Sequence, residues 1–100
     1  MTRNATRVHS DPVAVARLES LIAALPNGAR VELQLEDGSQ LRGTVAARPI
    51  LQLFFDAHGR EGSNAVLRIE PIAPDPFDSS QPPRDLWLDS ITTIRDLGPP

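Results

Sequence analysis

The sequence predicts a mainly β protein, an N-terminal α-helix followed by short antiparallel strands. Three observations carry this. Residues 30–47, RVELQLEDGSQLRGTVAA, read as strand, tight turn and strand. A helical pattern precedes them, opened by Asp11-Pro12. Short apolar segments separated by Gly and Pro follow them, which is the spacing of an all-β domain.

The first 10 residues are polar and lack periodicity, so the sequence predicts a disordered arm over 1–10. A single domain over 11–97 follows. Asp11 can cap the free amides of a first turn, and Pro12 suits the first helical position. Val15, Leu18, Leu21, Ile22 and Leu25 then share one face, predicting a helix over 11–25 that lids one end of a sheet. Pro26-Asn27-Gly28 ends it.

In the first strand, about 30–36, Val31, Leu33 and Leu35 alternate with polar residues. Asp37-Gly38 supplies the turn, since Gly takes positive φ without steric cost. Leu41, Gly43 and Val45 continue the inward set on the return strand, 40–47. Pro49 lacks a ladder donor and marks a bend or an edge. Residues 50–55, ILQLFF, are nearly continuous apolar and read as a strand covered on both faces. They either continue the second strand past a bend or begin a new one. Residues 56–64 read as a polar loop. Strands follow over 65–70, with Ala65, Leu67 and Ile69 inward, over 85–88 and over 91–97. Asp89-Ser90 makes a tight turn between the last two. A Pro-rich loop over 72–83 separates the earlier strands from the later ones, with Phe77 available to pin it.

Composition narrows the function classes. There is no cysteine, which excludes disulfides and thiolate metal sites, and all ten basic residues are arginine. No apolar run approaches the roughly 20 residues that span a bilayer. The first residues have no apolar stretch of the signal-peptide kind. A cytoplasmic protein without membrane contact is expected. The net charge of −3 disfavours RNA, because phosphate neutralisation dominates nucleic-acid affinity.

The run V-x-L-x-L-x-D-G-x-x-L-x-G-x-V, Val31 to Val45, resembles the first motif of the Sm-like branch of the SH3-type barrels. The small residue there, Gly43, would let the second strand bend. LWLDSITTI, Leu86 to Ile94, occupies the place of the second motif. The chain is similar to a small proteobacterial Sm-like family without assigned function. It resembles more weakly the bacterial host-factor RNA chaperone and the Rho-binding anti-terminator. Where the chaperone family has Tyr-Lys-His for its uridine pocket, this chain has Trp87, Leu88 and Asp89. The resemblance therefore implies that the helix is followed by a small, strongly bent, five-stranded antiparallel barrel of the Sm-like, SH3-type kind, and it weakens the RNA pocket. The Rho-inhibitor likeness implies a protein-binding regulator with an acidic surface.

Candidate contact residues for a nucleic acid or a partner are Trp87, Arg42, Arg48, Arg60 and Arg84. Aromatic rings stack on bases, but the apolar neighbours of Trp87 favour a core or interface anchor. Glu32, Glu36 and Glu70 are expected to neutralise the arginines across strands. Asp56, His58 and Glu61 could bind a divalent metal or do acid–base work, but their spacing matches no closed site and reads as a turn. Asp75, Asp78 and Asp85 lack the tight-turn glycine of a calcium loop. No nucleophile–base order and no phosphate-binding loop is present. The expectation is a non-enzymatic binding module with no cofactor and no metal. It would serve RNA-linked regulation or bind a protein partner without RNA contact. Because Pro49 and the Pro-rich insertion could block a sheet edge, a monomer or dimer is expected over a ring.

Overall fold

The computed structural model describes residues 3–72 and 82–99. Its order is α1 (Pro12–Ala23), β1 (Arg30–Leu35), β2 (Gln40–Ala47), β3 (Gln52–Phe55), β4 (Glu61–Asn64), β5 (Val66–Pro71), β6 (Arg84–Trp87), a 3-10 turn (Leu88–Ser90) and β7 (Ile91–Asp96). Five strands form one antiparallel sheet in the order β6-β5-β2-β1-β7, and β3-β4 form a separate hairpin. The expected fold class, a helix and a bent five-stranded antiparallel barrel, is observed with the barrel left open, since β6 and β7 end the sheet and do not pair with each other among the described residues.

Helix α1 begins as its residues dictate. Asp11 accepts a hydrogen bond from the Ala14 amide at 3.3 Å, and Pro12 fills the first helical position. Leu18, Ile22 and Leu25 are buried against Val31, Leu33, Val45, Leu67, Ile69, Leu88 and Ile91. Alternation in β1, β2 and β5 sends these apolar side chains to one face. Arg17 fastens the helix to the sheet by donating to the Ile91 carbonyl at 3.1 Å.

The β1–β2 turn forms as expected. Gly38 has φ of 88°, and Asp37 accepts from the Ser39 amide at 2.9 Å and the Ser39 hydroxyl at 2.6 Å. The sheet bends at irregularities in the ladder, one between Val45 and Ala47 in β2 and one between Gln34 and Leu35 in β1. Gly43 has another role. A Cβ there would lie 2.5 Å from Ile69 Cγ1 and 2.8 Å from the Glu70 carbonyl oxygen, so glycine permits the close approach of β2 and β5.

One open alternative is resolved and three expectations need correction. Residues 40–55 are two strands in different sheets, separated by the buried Pro49. β3 is covered on one face only, with Ile50 67% and Leu53 61% exposed, because its partner is a hairpin strand rather than a layered sheet. The polar segment 56–64 contains a strand, β4, paired with β3 from Gln52↔Asn64 to Phe55↔Glu61. Residues 3–10 are not a disordered arm. They run along that hairpin, with bridges Asn4↔Phe55 and His9↔Ser63. The expectations placed on Phe77, Asp75, Asp78 and most of the Pro-rich loop lie outside the described residues.

Candidate partner-binding edge

β6 ends the five-stranded sheet, and among the described residues it pairs with β5 alone. The register sets Val66 opposite Trp87, Leu67 opposite Leu86, Arg68 opposite Asp85 and Ile69 opposite Arg84. Alternation therefore puts Asp85 and Trp87 on one face beside Val66 and Arg68. An open cleft of about 250 Å³ is lined by Val66, Asp85, Leu86 and Trp87. The Trp87 ring is half-buried and meets the Phe54 ring edge-on, with centroids 5.2 Å apart. Such an aromatic pair contributes about 1 kcal/mol beyond the area it buries. One wall of the cleft thus rests on the β3–β4 hairpin.

The structure disperses the other sequence candidates. Arg42 on β2 donates to Glu32 at 2.7 Å, and Arg95 on β7 donates to the same carboxylate oxygen at 3.1 Å. The expected cross-strand neutralisation by Glu32 is therefore present, while Glu36 instead meets Arg7 at 2.7 Å. Arg60 pairs with Asp56 at 3.0 Å in the hairpin turn. Arg48 follows β2, is exposed, and its amide donates to the Asn27 side chain. Of these arginines only Arg84 shares a strand with Trp87.

Asp56 is occupied in closing its own turn. It accepts from the amides of His58 at 2.8 Å and Arg60 at 2.9 Å, and these bonds hold its carboxyl below the usual range, with the Arg60 amide contributing most. His58 stays exposed. Among the described residues no three metal-ligating side chains converge.

Arg42, by its hydrogen bond, lowers the Glu32 carboxyl from its ordinary 4.5, and Arg95 adds to this against the opposing effect of partial burial. A carboxyl lowered in the folded state contributes stability that is present above its unfolded value and lost as pH falls through the folded one. Urea midpoints measured from about pH 6 down to pH 3 are therefore expected to fall. Glu32→Gln is expected to flatten the acid limb of that curve.

Sequence reasoning missed Val66 and Asp85 as lining of this cleft and Phe54 as the support of Trp87. Val66 and Phe54 are far from Trp87 in sequence, and only the β5–β6 register and the hairpin bring them to it, whereas Asp85 lies two residues before Trp87 on the same strand face.

Residues 2–97 match the family described as Domain of unknown function (DUF3247). The crystal structure of XC5848 from Xanthomonas campestris, described as adopting a novel variant of Sm-like motif, is similar throughout. Its TM-score is 0.85 at 38% identity, covering 98% of this chain and 100% of that one. No curated protein matches.

Proposed function

The chain belongs to the DUF3247 family and carries an Sm-like fold, and from this premise we propose that it is a binding module that docks an extended polypeptide segment on β6. One observation carries the reading: the edge of β6, unpaired among the described residues, borders a cleft that is apolar and holds a carboxylate, Asp85. An edge strand offers free backbone donors and acceptors to an added strand, and side-chain pockets beside it choose the sequence. The expected ligand carries an apolar residue over Val66 and Trp87 and a basic residue near Asp85. Two same-face positions on a strand lie about 7 Å apart, so the two ligand residues alternate. RNA is the weaker fit. The net charge is −3, and Arg42 and Arg60, two of the arginines that could have met phosphates, already meet carboxylates.

Selection from a random-peptide phage library, followed by titration of the isotope-labelled protein with the selected peptides, tests this. Amide shifts are expected at 84–88, largest at Asp85 and Trp87, whose backbone groups face away from β5 because the Leu88 amide, in the same register, donates to the Ala65 carbonyl. Binding is expected to vanish in Asp85→Pro, which removes an outward backbone donor. Asp85→Lys is expected to weaken basic peptides about tenfold, the scale of a lost charge-assisted contact. Oligouridine titrated in parallel is expected to leave those amides unmoved. Oligouridine binding that falls steeply with salt and is lost in Trp87→Ala overturns the reading in favour of RNA. Light scattering is expected to give a monomer or dimer, leaving β6 accessible.

A further inference from the structure

The N-terminal segment, Arg3–Ser10, touches both supports of the Trp87 cleft. On the hairpin side, the Ala5 amide donates to the Phe55 carbonyl at 2.9 Å, and the Phe55 amide donates to the Arg3 carbonyl at 2.8 Å. Phe55 adjoins Phe54, whose ring abuts Trp87. His9 and Ser63 exchange two backbone hydrogen bonds, at 2.9 and 2.7 Å. On the β6 side, Arg7 Nε lies 3.2 Å and His9 Nε2 lies 2.8 Å from the same Oδ2 of Asp89. That carboxylate belongs to the 3-10 turn directly after Trp87, and its side chain is only 7% exposed. The Ser90 hydroxyl donates back to the Trp87 carbonyl at 2.6 Å.

A third tie joins the two sides. Asn64 is fully buried. Its side-chain amide donates to the Arg7 carbonyl at 2.8 Å, and its oxygen accepts from the Ala65 amide at 2.8 Å. The Ala65 carbonyl in turn accepts from Leu88 at 2.8 Å. Gly62 makes the fit between segment and hairpin. A Cβ there would lie 2.9 Å from the His9 amide nitrogen and 2.9 Å from Val8 Cβ.

We infer that the N-terminal segment positions the partner-binding cleft, with Arg7, His9, Asn64 and Asp89 as positioning residues that hold Phe54 against Trp87. The inference rests on the β6 reading for its purpose, but its geometry is testable without any ligand. A segment held by backbone pairing and by one shared carboxylate detaches as a unit when either is disturbed. Phe54 and Trp87 then lose their common brace, and the cleft loses its wall.

The test uses the full chain, whose only tryptophan is Trp87, so intrinsic fluorescence reports this one ring. Gly62→Ala pushes the segment off by steric overlap, and Arg7→Ala removes one cation from Asp89. Both are expected to red-shift the emission and raise acrylamide quenching roughly twofold, with far-ultraviolet dichroism unchanged. Arg7→Lys is expected to restore most of the effect, and Arg95→Ala, across the sheet, is expected to leave Trp87 unmoved. Should Gly62→Ala fail to fold, Arg7→Ala alone decides, because its side chain is 45% exposed and its loss leaves the core intact. Fast exchange of the Ala5 and His9 amides with unchanged Trp87 emission overturns the inference. A fluorescence change without any peptide binding keeps the inference and sinks the function proposed above.

Discussion

Gly43→Ala is expected to destabilise the fold by about 3 kcal/mol, the upper part of the range for overpacking a filled interior. The added methyl would meet Ile69 Cγ1 at 2.5 Å, Ile69 Cδ1 at 2.8 Å and the Glu70 carbonyl oxygen at 2.8 Å. The first two contacts belong to a side chain locked in the core, since Ile69 is fully buried. The third is backbone held in register with Thr44. Both strands must therefore move apart, which loosens the ladder between β2 and β5. For a domain of this size the loss corresponds to a melting temperature lower by roughly 12–24 °C. Urea unfolding is expected to show a lower midpoint with the slope unchanged. Adding Ile69→Ala is expected to recover little, because it relieves the side-chain overlap, leaves the carbonyl overlap and opens a cavity.

Asn64→Leu is expected to cost about 2–4 kcal/mol even though leucine is the more hydrophobic residue. The Ala65 amide is buried and has the Asn64 oxygen as its partner, so the substitution strands a buried donor. The Arg7 carbonyl loses its donor as well, at a site that water partly reaches. The measurable signature is a large fall in the urea midpoint together with fast exchange of the Ala65 amide. A neutral result would mean that water replaces the amide in that pocket.

Where one sheet face is buried, the pattern of the chain was legible. Val31, Leu33, Val45, Leu67 and Ile69 fall at alternate positions of their strands and are all buried. Asp11, Pro12 and Gly38 act through local backbone geometry alone, so their roles are visible in a few residues. β4 was illegible because Glu61-Gly62-Ser63-Asn64 carries no β-branched or aromatic residue. Its extended form is imposed by β3 on one side and by the N-terminal segment on the other. That segment was illegible because its order depends on partners as distant as Asp89. Of the candidate site, Trp87 could be singled out as the lone tryptophan. The arginines could not be sorted, because only the register tells which of them faces a carboxylate.

The sheet order also sets when folding can finish. β1 is an interior strand of the sheet, yet one of its two neighbours is β7, with Val31 opposite Asp96. The N-terminal segment likewise waits for Asp89. During synthesis, then, the hairpin of β1 and β2 emerges with an outer edge that nothing covers until more than half of the domain has followed. Closing such distant pairings is slow, and an open apolar strand is prone to pair with the wrong chain meanwhile. Glu32 and Gln34, which point outward from β1, are the residues placed to keep that nascent edge soluble.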